Sequence, residues 1–194
     1  MANRDNPYGF VPVRNLESQA GIPTMDFPVD ADAATQIFVG DLVTAKADGQ
    51  VEPAVADDGV TVLGVCVGIK DTNGIPAGHP NSAISTKYKP ASTAAILTVA
   101  LAVPTTIFRC QGDSGTTIAE TARFATANHA VVAGNTTTAK SGHELDSSDI
   151  GTGLQLRILD KVDEPGNAWG DEHVDLLVIF NEGLWSAATA HATI

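Results

Sequence analysis

The segment Cys110-Gln111-Gly112-Asp113-Ser114-Gly115 places Ser114 where a nucleophilic serine could stand, with an acidic neighbour and glycines around it. The chemistry there would be acyl transfer. A serine hydroxyl is a weak nucleophile until a histidine takes its proton. A carboxylate must hold that histidine, and backbone amides must receive the oxyanion. Upstream of Ser114 stands one histidine, His79, 35 residues away and followed directly by Pro80. His129, His143, His173 and His191 all come later, in the wrong order for the protease arrangement that this motif suggests. The flanks offer a structural account instead. Thr105 to Gln111 is β-branched and aromatic, with Phe108 and Cys110 on one face and Arg109 and Gln111 on the other. Gly-Asp-Ser-Gly is made of turn formers, and Thr116 to Thr121 resumes strand character. A hairpin with Ser114 in its turn is expected, and no catalytic residue is assigned.

Metal and phosphate chemistry are equally thin. The two cysteines, Cys66 and Cys110, lie 44 residues apart, and no two histidines share helix or strand spacing. Asp30-x-Asp32 and Asp146-Ser147-Ser148-Asp149 lack the full ligand series and the glycine of a calcium loop, so they read as solvated turn carboxylates. Neither a Gly-x-x-x-x-Gly-Lys nor a Gly-x-Gly-x-x-Gly pattern occurs. No metal and no cofactor is assigned. Trp169 sits in a turn, where it either stacks on a ligand such as a sugar or folds over the end of the body.

The elements that would position any site are strands. Charged residues make up 18% of the 194, Gly and Pro together number 28, and aromatics are 5%. That composition disfavours long charge-rich helices and predicts an aliphatic, β-rich core. Asp48-Gly49, Asp58-Gly59 and Asn73-Gly74 are hairpin or turn signals. Thr61 to Ile69 lies in an unbroken apolar run, suited to a strand buried on both faces. Further strands are expected at Ile37 to Ala45 (with Gly40-Asp41 as a kink), Ala94 to Val103, Leu154 to Val162 and His173 to Asn181. In the third of these, Leu154, Leu156 and Ile158 fall on one face, and Gln155 and Arg157 on the other. Asp30 to Gln36 could form one helical turn. The stretch from Ala119 to Gly142 is the least regular and reads as short strands. The fold class is all-β, a small barrel or sandwich built from hairpins with little helix.

Net charge is −12, with 23 acidic against 11 basic residues, a field that repels phosphate backbones. No nucleic-acid partner is expected. No apolar run approaches a membrane span, so no membrane partner is expected either. The N-terminus has no apolar leader, which implies no encoded export. Cys66 and Cys110 are expected as buried free thiols.

Residues 1–29 stand apart from the body at 30–194. Pro7, Pro12, Pro23 and Pro28 impose extended backbone, yet Tyr8, Phe10, Val11, Leu16 and Ile22 are apolar. An arm both extended and greasy must lie on its own body or on a neighbour. Pro7, Tyr8, Phe10, Val11, Leu16 and Ile22 are the candidate interface residues.

A family resemblance joins these pieces. Ala2-Asn3 and Asn6-Pro7-Tyr8-Gly9-Phe10-Val11-Pro12-Val13 resemble the start of virion proteins of tailed bacteriophages encoded near the major capsid gene. Residues 33–54 and 59–69 resemble the body of capsid cement, or decoration, proteins, and residues 156–183 their end. The resemblance implies a non-enzymatic protein, made in the host cytoplasm and placed on the outer capsid surface. It implies a major capsid protein as partner, self-association as a homotrimer at three-fold positions, and a tulip-like β-fold with an extended arm. The alternative reading is a β-sandwich module that recognises glycan on a virion or cell surface.

Overall fold

The computed structural model describes residues 3–17, 21–56 and 61–185. Eleven strands form two antiparallel sheets, and the regular helix among the described residues is a single 3-10 turn at Glu120–Ala122. One sheet has six strands in the order β1 (Val11–Asn15), β7 (Thr106–Gln111), β11 (Asp175–Phe180), β10 (Leu156–Lys161), β8 (Thr126–Asn135) and β9 (Lys140–Gly151). The other has five, in the order β2 (Thr24–Val29), β6 (Ala95–Leu101), β5 (Val62–Lys70), β3 (Leu42–Ala45) and β4 (Val51–Pro53). Neither sheet closes on itself, so of the two expected architectures the chain adopts the sandwich.

Two apolar clusters explain the layering. The larger takes Val62, Val65 and Ala100 from the five-stranded sheet and Phe108, Leu156, Ile158, Leu176, Val178 and Phe180 from the six-stranded one. It is the filling between the sheets. The smaller gathers Val43, Leu63, Cys66, Leu97 and Val99 on the opposite face of the five-stranded sheet, beneath Ile37 and Ile84 from loops. Strand β5 therefore feeds both clusters, as its unbroken apolar run requires. Lys89, fully buried, fastens the covering loops by donating its ammonium to the carbonyls of Ala33, Thr35 and Pro90. Cys66 and Cys110 are free and buried, one in each cluster.

The N-terminal segment is woven into both sheets. It gives β1 to the edge of one and β2 to the edge of the other. Pro12 and Pro28 lie in these strands, and Pro53 in the edge strand β4; an edge is where a missing N–H is tolerated. Gly9 (φ 76°) permits the close crossing that precedes β1. A Cβ there would stand 2.5 Å from the Gly40 carbonyl oxygen and 2.6 Å from Ser141 Cβ. Phe10 then enters the core, its ring 6.2 Å from that of Phe180.

Several sequence expectations need correction. Residues 116–121 do not resume a strand; after the bend at Ser114 the chain buries Ile118 and makes the 3-10 turn. The stretch read as short strands holds all of β8, and its end opens β9; these are the two longest strands among the described residues, of 10 and 12 residues. Their small and polar residues hide the alternation that usually marks a strand. Gln155, on the face opposite Leu156 and Ile158, is fully buried as they are, and its Oε1 meets His129 Nδ1 at 2.6 Å. Residues 30–36 form turns without a helix, and β3 starts only at Leu42, after isolated bridges at Ile37 and Val39. The Asp48-Gly49 turn does join β3 to β4, with Gly49 at φ 82°. Asp58-Gly59 lies outside the described residues.

Candidate functional site

Side chains from distant parts of the sequence meet where residues 3–8 lie across the six-stranded sheet. Strand pairing sets the frame. Arg109 on β7 is opposite Val11 on β1 and Leu177 on β11, while Asp175 is opposite Gln111. Arg109 binds both Glu164 oxygens, at 2.6 and 2.8 Å, and Asp175 Oδ2 at 2.8 Å. Its Nε donates to the Tyr8 hydroxyl at 3.0 Å, and that hydroxyl donates to Asp175 Oδ1 at 2.6 Å. Burial and then the Asp175 bond push the Tyr8 phenol well above its ordinary range. Tyr8 is therefore a neutral donor. Asn6 adds a backbone bond to Gln111 Oε1, and these groups border an open cleft of about 520 Å³.

Beside this network lies a second cluster. One carboxylate oxygen each from Asp5 and Glu144 and one ring nitrogen of His173 all fall within 4.8 Å of one another. Glu144 is on β9, and His173 stands in the turn before β11, with a left-handed backbone (φ 55°). Asn3 holds the approach by donating to the His173 carbonyl at 2.9 Å and to Asn167 Oδ1 at 2.6 Å. Asp5 is exposed, but Glu144 and His173 are buried. Burial, followed by the charges of Asp5 and Asp113, pushes the Glu144 carboxyl up to about 7.

The candidate interface residues divide between inside and outside. Phe10 is fully buried in the chain's own core, and Ile22 packs against the same cluster. Tyr8 is held in the Arg109 network, and Pro7 is half-buried beside Asp5. Val11 and Leu16 are exposed, at 43% and 60%, and Val13 and Met25, which the sequence did not single out, join them at 50% each.

The other sequence candidates are structural in this fold. Ser114 is exposed in a bend, and the Asp113 carboxylate serves Ser147, accepting from its amide at 2.8 Å and its hydroxyl at 2.5 Å. His79 Nδ1 accepts the amide of Asn81. Asp30 and Asp146 cap their own turns. Trp169 packs against the main core with the Arg123 guanidinium 5.7 Å from its ring centre.

Asp5, Glu144 and His173 went unnoticed in the sequence because 139 and 29 residues separate them. Arg109 and Asp175 did leave a trace: each is a charge inside an otherwise apolar strand. Among the described residues no helix is long and apolar enough to cross a membrane. No family of known proteins matches this chain, and neither characterised proteins nor solved structures give a match.

Proposed function

We propose that this chain is a structural protein of a phage virion that binds the outer surface of the assembled head and cements neighbouring capsomers. The observation that carries the reading is the placement of exposed apolar side chains. Of ten large hydrophobic side chains exposed among the described residues, Val11, Val13, Leu16 and Met25 lie within one short stretch. Val11 and Val13 lie on β1 and Met25 on β2, one edge strand of each sheet, and Leu16 directly follows β1. A free strand edge offers unpaired backbone groups, and apolar side chains beside it give a partner something to bury. Scattered single hydrophobics need no explanation, whereas four on or beside such edges do.

The resemblance to cement proteins supports the same assignment, with the major capsid protein as partner. A homotrimer suits a three-fold position, where multivalent attachment multiplies weak contacts. Trp169, the side chain weighed as a sugar platform, is engaged with the core and Arg123.

Deleting the N-terminal segment would be a poor test, because Phe10 and Ile22 belong to the core. Exposed point changes are better. Heads lacking the protein are incubated with wild type or with the Val13→Asp, Leu16→Asp double variant. Wild type should add density at three-fold positions by cryo-electron microscopy and delay thermal rupture of the heads. The variant should keep its circular dichroism spectrum yet bind at least about tenfold more weakly, as loss of central apolar anchors does. Equal binding by the variant, or no added density with wild type, would sink the reading.

A further inference from the structure

We propose that Asp5, Glu144 and His173 form a binding site for a divalent transition-metal cation of the zinc class, which staples the N-terminal segment to the six-stranded sheet. Their donor atoms lie within 4.8 Å of one another. Some point is then within about 2.8 Å of all three, so modest side-chain rotation reaches the roughly 2.0–2.2 Å of zinc bonds to nitrogen and oxygen.

Proximity of acidic groups alone would mean little. The decisive observation is what these side chains lack. Glu144 is 5% exposed and His173 9%, yet Glu144 Oε1 and His173 Nδ1 are buried without a hydrogen-bond partner. Unpaired buried polar atoms are costly and rare in folded proteins. The neighbouring carboxylates are provided for: Asp113 by Ser147, and Asp175 by Arg109 and Tyr8. The two residues that carry these unpaired atoms converge with Asp5, and two carboxylates beside an imidazole call for a cation, not another acceptor.

The donor set selects the class of ion. Calcium and magnesium prefer shells of oxygen, whereas an imidazole with two carboxylates suits zinc and its first-row neighbours. Three protein ligands leave a coordination position for water. Asp5 is exposed, so an ion can enter from solvent. Because Asp5 belongs to the N-terminal segment and the other two ligands to the body, binding would fix residues 3–8 in place.

The test uses the full chain, stripped with EDTA and titrated with Zn²⁺ by calorimetry. One ion per chain is expected, and amides 3–8 should gain protection from hydrogen exchange on binding. Glu144→Gln and Asp5→Asn should each weaken binding at least about tenfold, the scale seen for losses around metal sites. Asp5→Asn alters an exposed side chain, so it keeps the test open should Glu144→Gln misfold. The proposal fails if Zn²⁺ does not bind, if both variants bind as wild type does, or if Ca²⁺ or Mg²⁺ binds in preference. All these readouts use the isolated chain, so they stand apart from head binding.

Discussion

The Arg109 network and the Asp5–Glu144–His173 cluster both lie where the N-terminal segment crosses the same sheet, and their polar groups are met in opposite ways. Around Arg109 the charges are closed among themselves: one guanidinium serves Glu164, Asp175 and Tyr8, and Tyr8 returns a proton donor to Asp175. In the second cluster Glu144 Oε1 and His173 Nδ1 are buried without a hydrogen-bond partner. A fold can complete one polar site with its own side chains and leave another for something outside the chain. Removing a charge should therefore have opposite signs in the two places.

The largest effect is expected at Arg109. Arg109→Ala leaves Asp175 facing a largely buried space with only the Tyr8 hydroxyl on its carboxylate. Breaking a buried ion pair from one side typically costs about 3–5 kcal/mol, and the partial exposure of Arg109 argues for the lower end. Urea unfolding should show this as a lowered midpoint with little change in slope. A loss below about 1 kcal/mol would mean that the network is ornamental.

A third polar site sharpens the comparison, because there titration removes the charge. The rings of His129 and His143 stack 5.8 Å apart, and burial pushes both down to about 4. Nearby Asp41 is pushed up to about 6 by burial, against the pull of the Ser141 hydroxyl and the Phe38 amide. The signs oppose. Each depressed histidine gives stability that is full above its ordinary value of 6.5 and is lost as pH falls through about 4. The raised Asp41 gives stability that is full below 3.8 and is lost as pH rises through about 6. Between pH 6 and 4 Asp41 offsets part of what the histidines lose. Asp41→Asn should therefore steepen the acid loss by up to about 1.4 kcal/mol per pH unit in that window. At pH 8 the variant should be no less stable than wild type. Parallel stability curves for the two proteins would show that Asp41 does not titrate there.

Glu144→Gln should give a smaller effect of the other sign. Without added metal at neutral pH, the amide replaces a buried carboxylate pressed by Asp5 and Asp113. A gain of about 1–2 kcal/mol is expected, in the range by which unpaired buried polar groups destabilise. Added Zn²⁺ should stabilise wild type and not the variant. A destabilised variant under metal-free conditions would mean that Glu144 has a protein partner, and the contrast with Arg109 would collapse.

These three sites also mark how far the sequence could be read. Strand β5 was legible because burial on both faces needs an unbroken apolar run, and the β3–β4 turn because Asp48-Gly49 meets a local backbone demand. Strands β8 and β9 were not. His129, Ser141, His143 and Glu144 are buried polar residues, so hydrophobic alternation disappears. The Asn6-to-Phe10 stretch was legible only as a segment that must be covered. Its division of labour, with Tyr8 in the ion network, Gly9 at a close crossing and Phe10 in the core, depends on strands more than a hundred residues away. The Asp5–Glu144–His173 cluster had no sequence signature, since β9 and the turn before β11 meet only through tertiary pairing.

The smallest effect tests the residue whose setting looked most chemical. Ser114 is exposed in a bend, next to Gly115 at φ 118°, and its neighbour Asp113 does the structural work of that loop. The Asp113 amide donates to the Leu145 carbonyl, and its carboxylate receives Ser147, which is 4% exposed. Ser114→Ala should change stability by less than about 0.5 kcal/mol, as exposed substitutions usually do. Asp113→Ala should cost about 1–3 kcal/mol, because it leaves the buried Ser147 amide unpaired and its hydroxyl with only the backbone carbonyl of residue 113, at 3.4 Å. Thermal melts of the two variants should separate them clearly. Labelling with a fluorophosphonate probe gives the complementary check, since it needs an activated serine. No label is expected at Ser114. Labelling there that disappears in Ser114→Ala would show a nucleophile, and the bend would have to be read again as a catalytic loop.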